Sequence, residues 1–279
     1  MEAVSRTAQW TAAARALESE RDDALFNDPY ARTVAADTGF TLLERYAGAG
    51  TVPFLAIRTK YLDEAVVRTV AERGIRQVVF LAAGMDTRFH RLPWPDGVTV
   101  YELDRPALLE AKERLLADAR QPSGRERHGV AVDLTEEWTG QLKEAGWKSD
   151  EPVLWVVEGL LFFLPEQAVR DLLGTLSGHS APGSVLAGDV ISRAALRNPL
   201  SRTFLSALRE DGNPWLFGTE EPEQLLVDCG WAPREIRQPG EEGADFGRWP
   251  YPVASRDVAG VPRSFLFTCD LPSDEGTAS

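Results

Sequence analysis

From about residue 55 onward, short apolar runs alternate with segments of helical periodicity, and few architectures accept that rhythm. Strands buried on both faces read as continuous apolar runs, and a helix between successive strands supplies the crossover that parallel neighbours require. The runs cover residues 77–83, 98–103, 129–134, 153–157, 184–190, 234–238 and 264–270. Helical patterns fall between them at 55–73, 106–119, 136–145, 165–176 and 221–229, with Pro106, Pro165 and Pro222 at the starts, where a missing N–H costs nothing. The expectation is an α/β fold with a seven-stranded, Rossmann-like sheet, mostly parallel, in which 264–270 returns as one antiparallel strand. The connections are too short to separate domains, so 1–279 is expected to form one.

Three segments stand outside the alternation. Residues 1–54 carry a helical pattern over 7–20, a turn at Asn27-Asp28-Pro29 and a second helix before Gly48-Ala49-Gly50, and are expected to form a helical cap. Residues 192–218 exceed a minimal connection and are expected to be an inserted lid. Residues 272–279 read as a frayed tail.

Charge and cysteine content narrow the function. With 43 Asp and Glu against 30 Lys and Arg, the net charge of -13 has the wrong sign for gripping a phosphate backbone, so nucleic acid is excluded as a partner. Cys229 and Cys269 are the only cysteines, too few for a disulfide framework or a zinc site, and a reducing cytoplasm is expected, with no metal. The longest apolar stretch, 153–164, is broken by Glu158 and Gly159 and falls short of the about 20 residues that span a bilayer. The N-terminus shows no signal-peptide core, so no membrane is expected.

Ligands of open parallel sheets bind beyond the carboxyl ends of the strands, and polar residues collect there. The first strand runs into Gly84-Met85-Asp86-Thr87, the second ends in Asp104, the third in Asp133-Leu134 and the fourth in Glu158-Gly159. Asp104 lies 20 residues beyond Gly84, the spacing at which a carboxylate accepts hydrogen bonds from ribose hydroxyls. Asp104 and Asp133 could instead cap the turns that follow them. Glu158 sits within an apolar run and needs a partner. The loop lacks Gly-x-Gly-x-x-Gly and a Walker lysine, which disfavours a pyrophosphate and leaves an adenosine ligand.

Phe80-Leu81-Ala82-Ala83-Gly84-Met85-Asp86-Thr87-Arg88, Tyr101-Glu102-Leu103-Asp104-Arg105-Pro106, Val132-Asp133-Leu134 and Val157-Glu158-Gly159-Leu160-Leu161 together resemble the leucine carboxyl methyltransferase family. The closest resemblance is to its actinobacterial branch of S-adenosylmethionine-dependent methyltransferases. Asp28-Pro29-Tyr30-Ala31, Arg58-Thr59-Lys60-Tyr61-Leu62-Asp63 and Pro262-Arg263-Ser264-Phe265-Leu266 belong to the same pattern, which covers nearly the whole chain. The resemblance implies the class I methyltransferase sheet and S-adenosylmethionine as cofactor. It implies Asp104 on the ribose, Asp133 on the adenine amino group and the Leu134 amide on a ring nitrogen. Arg58, with Arg15 as a second candidate, would face the methionyl carboxylate, while Glu158 and the Gly84 backbone face the amino end.

Two positions depart from the family pattern. Phe163 stands where many relatives have Tyr, and Thr135 stands where enzymes acting on a protein C-terminal leucine have Arg. Both remove groups that would grip a peptide carboxylate, so a small-molecule acceptor is expected. Of the three histidines only His90 follows the cofactor loop, as a candidate base. A carboxylate needs none, because it is ionised at neutral pH. The expected reaction is therefore methyl-ester formation, on an aromatic natural product of secondary metabolism. Phe163, Arg248, Trp249, Tyr251 and Arg256 are candidates to hold it. A phenol methyltransferase and a cofactor-binding protein without turnover are the alternatives.

Overall fold

The computed structural model describes residues 3–272 apart from Ala47, Ala49, Gln121 and the side chains of residues 3–7. Residues 273–279 of the expected tail lie outside the described residues. Seven strands form one sheet: β1 (Gln77–Leu81), β2 (Thr99–Asp104), β3 (Glu126–Ala131), β4 (Val153–Val157), β5 (Val185–Ile191), β6 (Ala232–Arg237) and β7 (Ser264–Asp270). Their order is β3-β2-β1-β4-β5-β7-β6, with β7 antiparallel to both neighbours. The chain winds outward from β1 through β3 and then crosses back to β4, which leaves a crevice where the carboxyl ends of β1 and β4 diverge.

Before the sheet come α1 (Ala3–Ser19), α2 (Ala31–Tyr46) and α3 (Thr51–Arg73). The crossovers hold α4 (Arg88–Arg91), α5 (Pro106–Leu115), α6 (Thr139–Glu144) and α7 (Glu166–Gly178), and after β5 come α8 (Arg193–Arg197), α9 (Arg202–Glu210) and α10 (Pro222–Asp228). Side chains alternate across each strand and fill two cores. Val79, Leu103, Trp155 and Val157 meet α7 and α10 through Leu173 and Leu226. On the other face Val78, Phe80, Val100 and Val156 meet α3 through Ile57, Leu62 and Val66. A third cluster lies over the carboxyl edge and joins α1, α2 and α9 through Trp10, Val34, Tyr46 and Leu208, with Met85 and Leu108 beneath.

The third strand lies upstream of its expected place: it pairs with β2 from Glu126↔Thr99 to Ala131↔Asp104, not over 129–134. β3 is an edge strand whose Glu126 and Ala131 are exposed, so its first half carries polar residues that an apolar run does not reveal. Leu134 falls in the following turn. β7 starts beside Ile191, the last residue of β5, so the segment before it must overhang the carboxyl edge. Among the described residues no helix is long and apolar enough to cross a membrane.

Candidate active site

A cavity of about 950 Å³ opens over the crevice, bounded by the ends of β1 to β5, by α1 and α3, by 192–218 and by the overhanging loop. Its floor is the turn after β1. Ala82 and Gly84 take left-handed φ of 51° and 52°, and strain of this kind in a non-glycine residue such as Ala82 persists where its surroundings hold it. A Cβ on Gly84 would come within 3.1 Å of the Ala8 side chain, so glycine lets α1 lie on the turn. The Gly84 N–H donates to Asp104 Oδ2 at 2.7 Å, and the Arg105 N–H donates to Oδ1 at 2.8 Å. Burial pushes the Asp104 carboxyl above its usual value, and these two bonds only partly oppose it. Asp133, half-buried, accepts from Thr135 N at 2.9 Å and Thr135 Oγ1 at 2.7 Å, bonds that lower its pKa.

The ends of β4 and β5 carry a buried charge network. Arg58 reaches Glu158 Oε1 at 2.9 Å as an ion pair and donates from Nη1 to Asp189 Oδ2 at 3.2 Å. Asp189 Oδ1 accepts from the Gly159 N–H at 2.6 Å, and a side chain on Gly159 would press on the Arg58 guanidinium at 3.1 Å. Arg88 donates to Glu158 Oε2 at 2.6 Å and to Asp63 Oδ1 at 2.7 Å, and it also pairs with Asp86. Burial works to raise Glu158, but Arg88 and Arg58 outweigh it and hold the carboxyl low; Asp86 is likewise held at about 2 against its burial, chiefly by Arg88. Burial dominates at Asp189 and raises it. From the N-terminal side, Arg15 Nε donates to Asp28 at 3.0 Å and Nη2 to the Met85 carbonyl at 2.5 Å, while Thr87 donates to Asp28 at 2.7 Å. Arg15 and Asp28 thus fasten the turn that follows β1.

The opposite wall is apolar. Trp215 packs among Phe162, Phe204 and Phe163 at centroid distances of 4.4, 4.9 and 6.3 Å. Trp249 and Tyr251 form a second aromatic patch, 5.3 Å apart.

Arg15, Arg58, Gly84, Asp104, Asp133, Leu134, Glu158, Phe163, Trp249 and Tyr251 all line this cavity. Three other candidates do not. Arg248 is turned toward α1, where it pairs with Glu18 at 3.0 Å and Asp23 at 3.1 Å. Arg256 lies on the Phe265 ring and donates to Glu223 at 2.7 Å, at the start of α10. In an acidic chain such loop arginines find carboxylates of the chain itself, the buried Glu18 and the half-exposed Glu223, before they find a ligand. His90 packs on Tyr30 and Phe89 with Nδ1 3.3 Å from the Arg120 carbonyl, and burial lowers its pKa. It stands outside the cavity and is corrected from candidate base to packing residue. Asp189 and Arg88 were not among the sequence candidates. Asp189 could have been found, since a carboxylate inside the apolar run of β5 demands a partner for the same reason as Glu158.

The family model for leucine carboxyl methyltransferases matches residues 8–177. A Mycobacteroides abscessus protein named for an inferred S-adenosyl-L-methionine-dependent methyltransferase activity is 36% identical, over 92% of each chain. A Mycolicibacterium smegmatis protein named in the same way is 41% identical over 88% of each. Among solved structures, a DUF574 family protein from Streptomyces avermitilis superposes with a TM-score of 0.62 at 15% identity, covering 94% of this chain and 97% of that one. An O-methyltransferase family protein from Burkholderia thailandensis gives 0.51 at 18% identity, covering 96% and 70%. These two carry the likeness of fold, while sequence carries the kinship: the chain belongs to the leucine carboxyl methyltransferase family, a family of S-adenosylmethionine-dependent methyltransferases.

Proposed function

We propose that the chain methylates a carboxylate oxygen of a small organic acid, with S-adenosylmethionine as donor. One observation carries the reading: the carboxylates that line the cavity are already engaged. Asp86 and Glu158 are held by arginines, Asp104 by two backbone N–H groups and Asp133 by Thr135, while His90 faces away. A phenol or alcohol would need one of them as a general base near neutral pH. A carboxylate arrives ionised.

The residues fit the cofactor. Each Asp104 oxygen spends one acceptor site on the backbone and keeps another for a ribose hydroxyl. Arg58 beside Glu158 offers a cation and an anion side by side, the complement of a zwitterionic amino-acid end. Asp133 and the Leu134 amide, which line the same cavity, would take the adenine edge. The cofactor supplies a methyl group on a positively charged sulfur. The acceptor's O–C bond forms as the C–S bond breaks, the electron pair stays on sulfur, and no proton is released. The protein contributes position, holding the two reactants in line, with 192–218 closing over them as a lid.

The product decides the matter. After incubation with labelled S-adenosylmethionine and a panel of acids and phenols, mild alkali should release the label as methanol. Label that survives alkali would mean an ether and overturn the reading.

A further inference from the structure

Resting on carboxyl methylation as proposed above, we infer that the acceptor is a lipophilic monocarboxylic acid whose uncharged body runs along the aromatic wall and out past an apolar rim. Charge is the first argument. Of the residues from 191–218 and 238–264 that line the cavity, Arg263 alone is charged. Its guanidinium is buried and turns both Nη groups to the loop itself, donating to the carbonyls of Ser255 at 2.6 Å, Val258 at 2.8 Å and Val261 at 3.0 Å, while the buried Nε has no partner. A second anionic group on the acceptor would meet no cation on this wall except that buried one.

Polarity is the second argument. Asn198 accepts from the Leu200 N–H at 3.1 Å, Asn213 donates to the Asp211 carbonyl at 3.0 Å, and Gln238 donates to Glu241 at 2.6 Å. Each of these amides gives one end to its own loop and most of the remaining wall is apolar, so a polyhydroxylated or peptide body would exchange water for a surface that returns few hydrogen bonds.

The rim is the third argument. Leu200, Leu216, Tyr251 and Val253 line the cavity and yet are 83%, 52%, 43% and 39% exposed. Large apolar side chains left wet at the mouth of an aromatic cavity mark a surface that a ligand covers. An acid short enough to sit wholly inside would leave all four in water.

Titration calorimetry with the full chain and S-adenosylhomocysteine tests this without turnover. The probes are unbranched saturated monocarboxylic acids of increasing length, each kept below its micelle concentration, and the matched α,ω-dicarboxylic acids. Affinity should rise up to roughly 3- to 4-fold per added methylene until the chain clears the rim, and each dicarboxylic acid should bind at least about tenfold more weakly than its monoacid. Leu200→Asp, at a position too exposed to disturb folding, should weaken binding by an amount that grows with chain length, whereas Arg256→Ala, outside the cavity, should not. Affinity independent of length, or dicarboxylic acids bound as tightly as monoacids, would overturn the inference. Labelled transfer to a long acid and to its alcohol separates the two proposals. Ester formed with no preference for length defeats this one alone; ether formed from the alcohol, with the acid inert, defeats carboxyl methylation and the carboxylic acid named here with it.

Discussion

Where β1, β4 and β5 end, Arg58 and Arg88 lie among Asp63, Asp86, Glu158 and Asp189, each within reach of two or more opposite charges. Across the cavity the wall is Phe163, Phe204, Trp215, Trp249 and Tyr251. The first surface is directional: every group is fixed by a partner of opposite sign, and removing one strands another in a low-dielectric interior. The second is held by dispersion and burial, forces that grade with area and tolerate exchange. One half of the cavity is backed by fixed charges, and the other is an apolar surface without them.

That contrast can be broken most violently at Glu158. Glu158→Gln keeps the shape but takes from Arg58 and Arg88 the carboxylate they share. Breaking a buried pair costs about 3–5 kcal/mol, which urea denaturation should register as a lower midpoint. If stability is unchanged, the network is not the rigid half. Next in size, Asp104→Ala should raise the dissociation constant for S-adenosylmethionine by roughly 100-fold, the worth of one or two charged hydrogen bonds, by calorimetry.

Acid sharpens the same distinction. Glu158, Asp28 and Asp86 are depressed in the folded state, so their contribution is present above the ordinary 4.5 of Glu and 3.8 of Asp and is lost as pH falls through the folded values, down to about 2 for Asp86. Asp104 and Asp189 are raised and have the opposite sign: the folded form takes up their protons first, which adds stability on acidification. Cofactor affinity should therefore fall as pH drops through the raised Asp104 value, above the ordinary 3.8 of Asp and well before Asp86 takes up a proton at about 2. Affinity kept at about pH 3 would show that Asp104 does not hold the cofactor. The smallest effect belongs to the apolar wall: Trp215→Ala should raise the acceptor KM about tenfold while the S-adenosylmethionine dissociation constant stays within about twofold.

Strands β1, β4, β5 and β7 were legible because burial on both faces writes a mostly apolar run. The edge strand β3 was legible only from Gly129 onward, since its first half carries polar residues. The strand-end carboxylates were legible because topology alone sends every carboxyl end to the same side. What escaped was pairing between distant segments. Nothing near Arg248 names Glu18 as its partner, and nothing near Trp10 announces that it will meet Phe204 at 6.3 Å. Asp189 escaped for a different reason: it lies two residues inside the end of β5, so attention to the residues that close or follow each strand passes over it.

The cluster that joins α1 and α2 to α9 also reaches Met85 and Leu108, so the residues shaping the acceptor wall and those backing the cofactor turn share one set of contacts. In a lineage of such enzymes, substitutions in 192–218 and in the first 46 residues are therefore not independent, and drift in one selects for compensation in the other. A chimera that borrows 192–218 from a relative imports half an interface, and should fold as stably as its parents only when α1 and α2 travel with it.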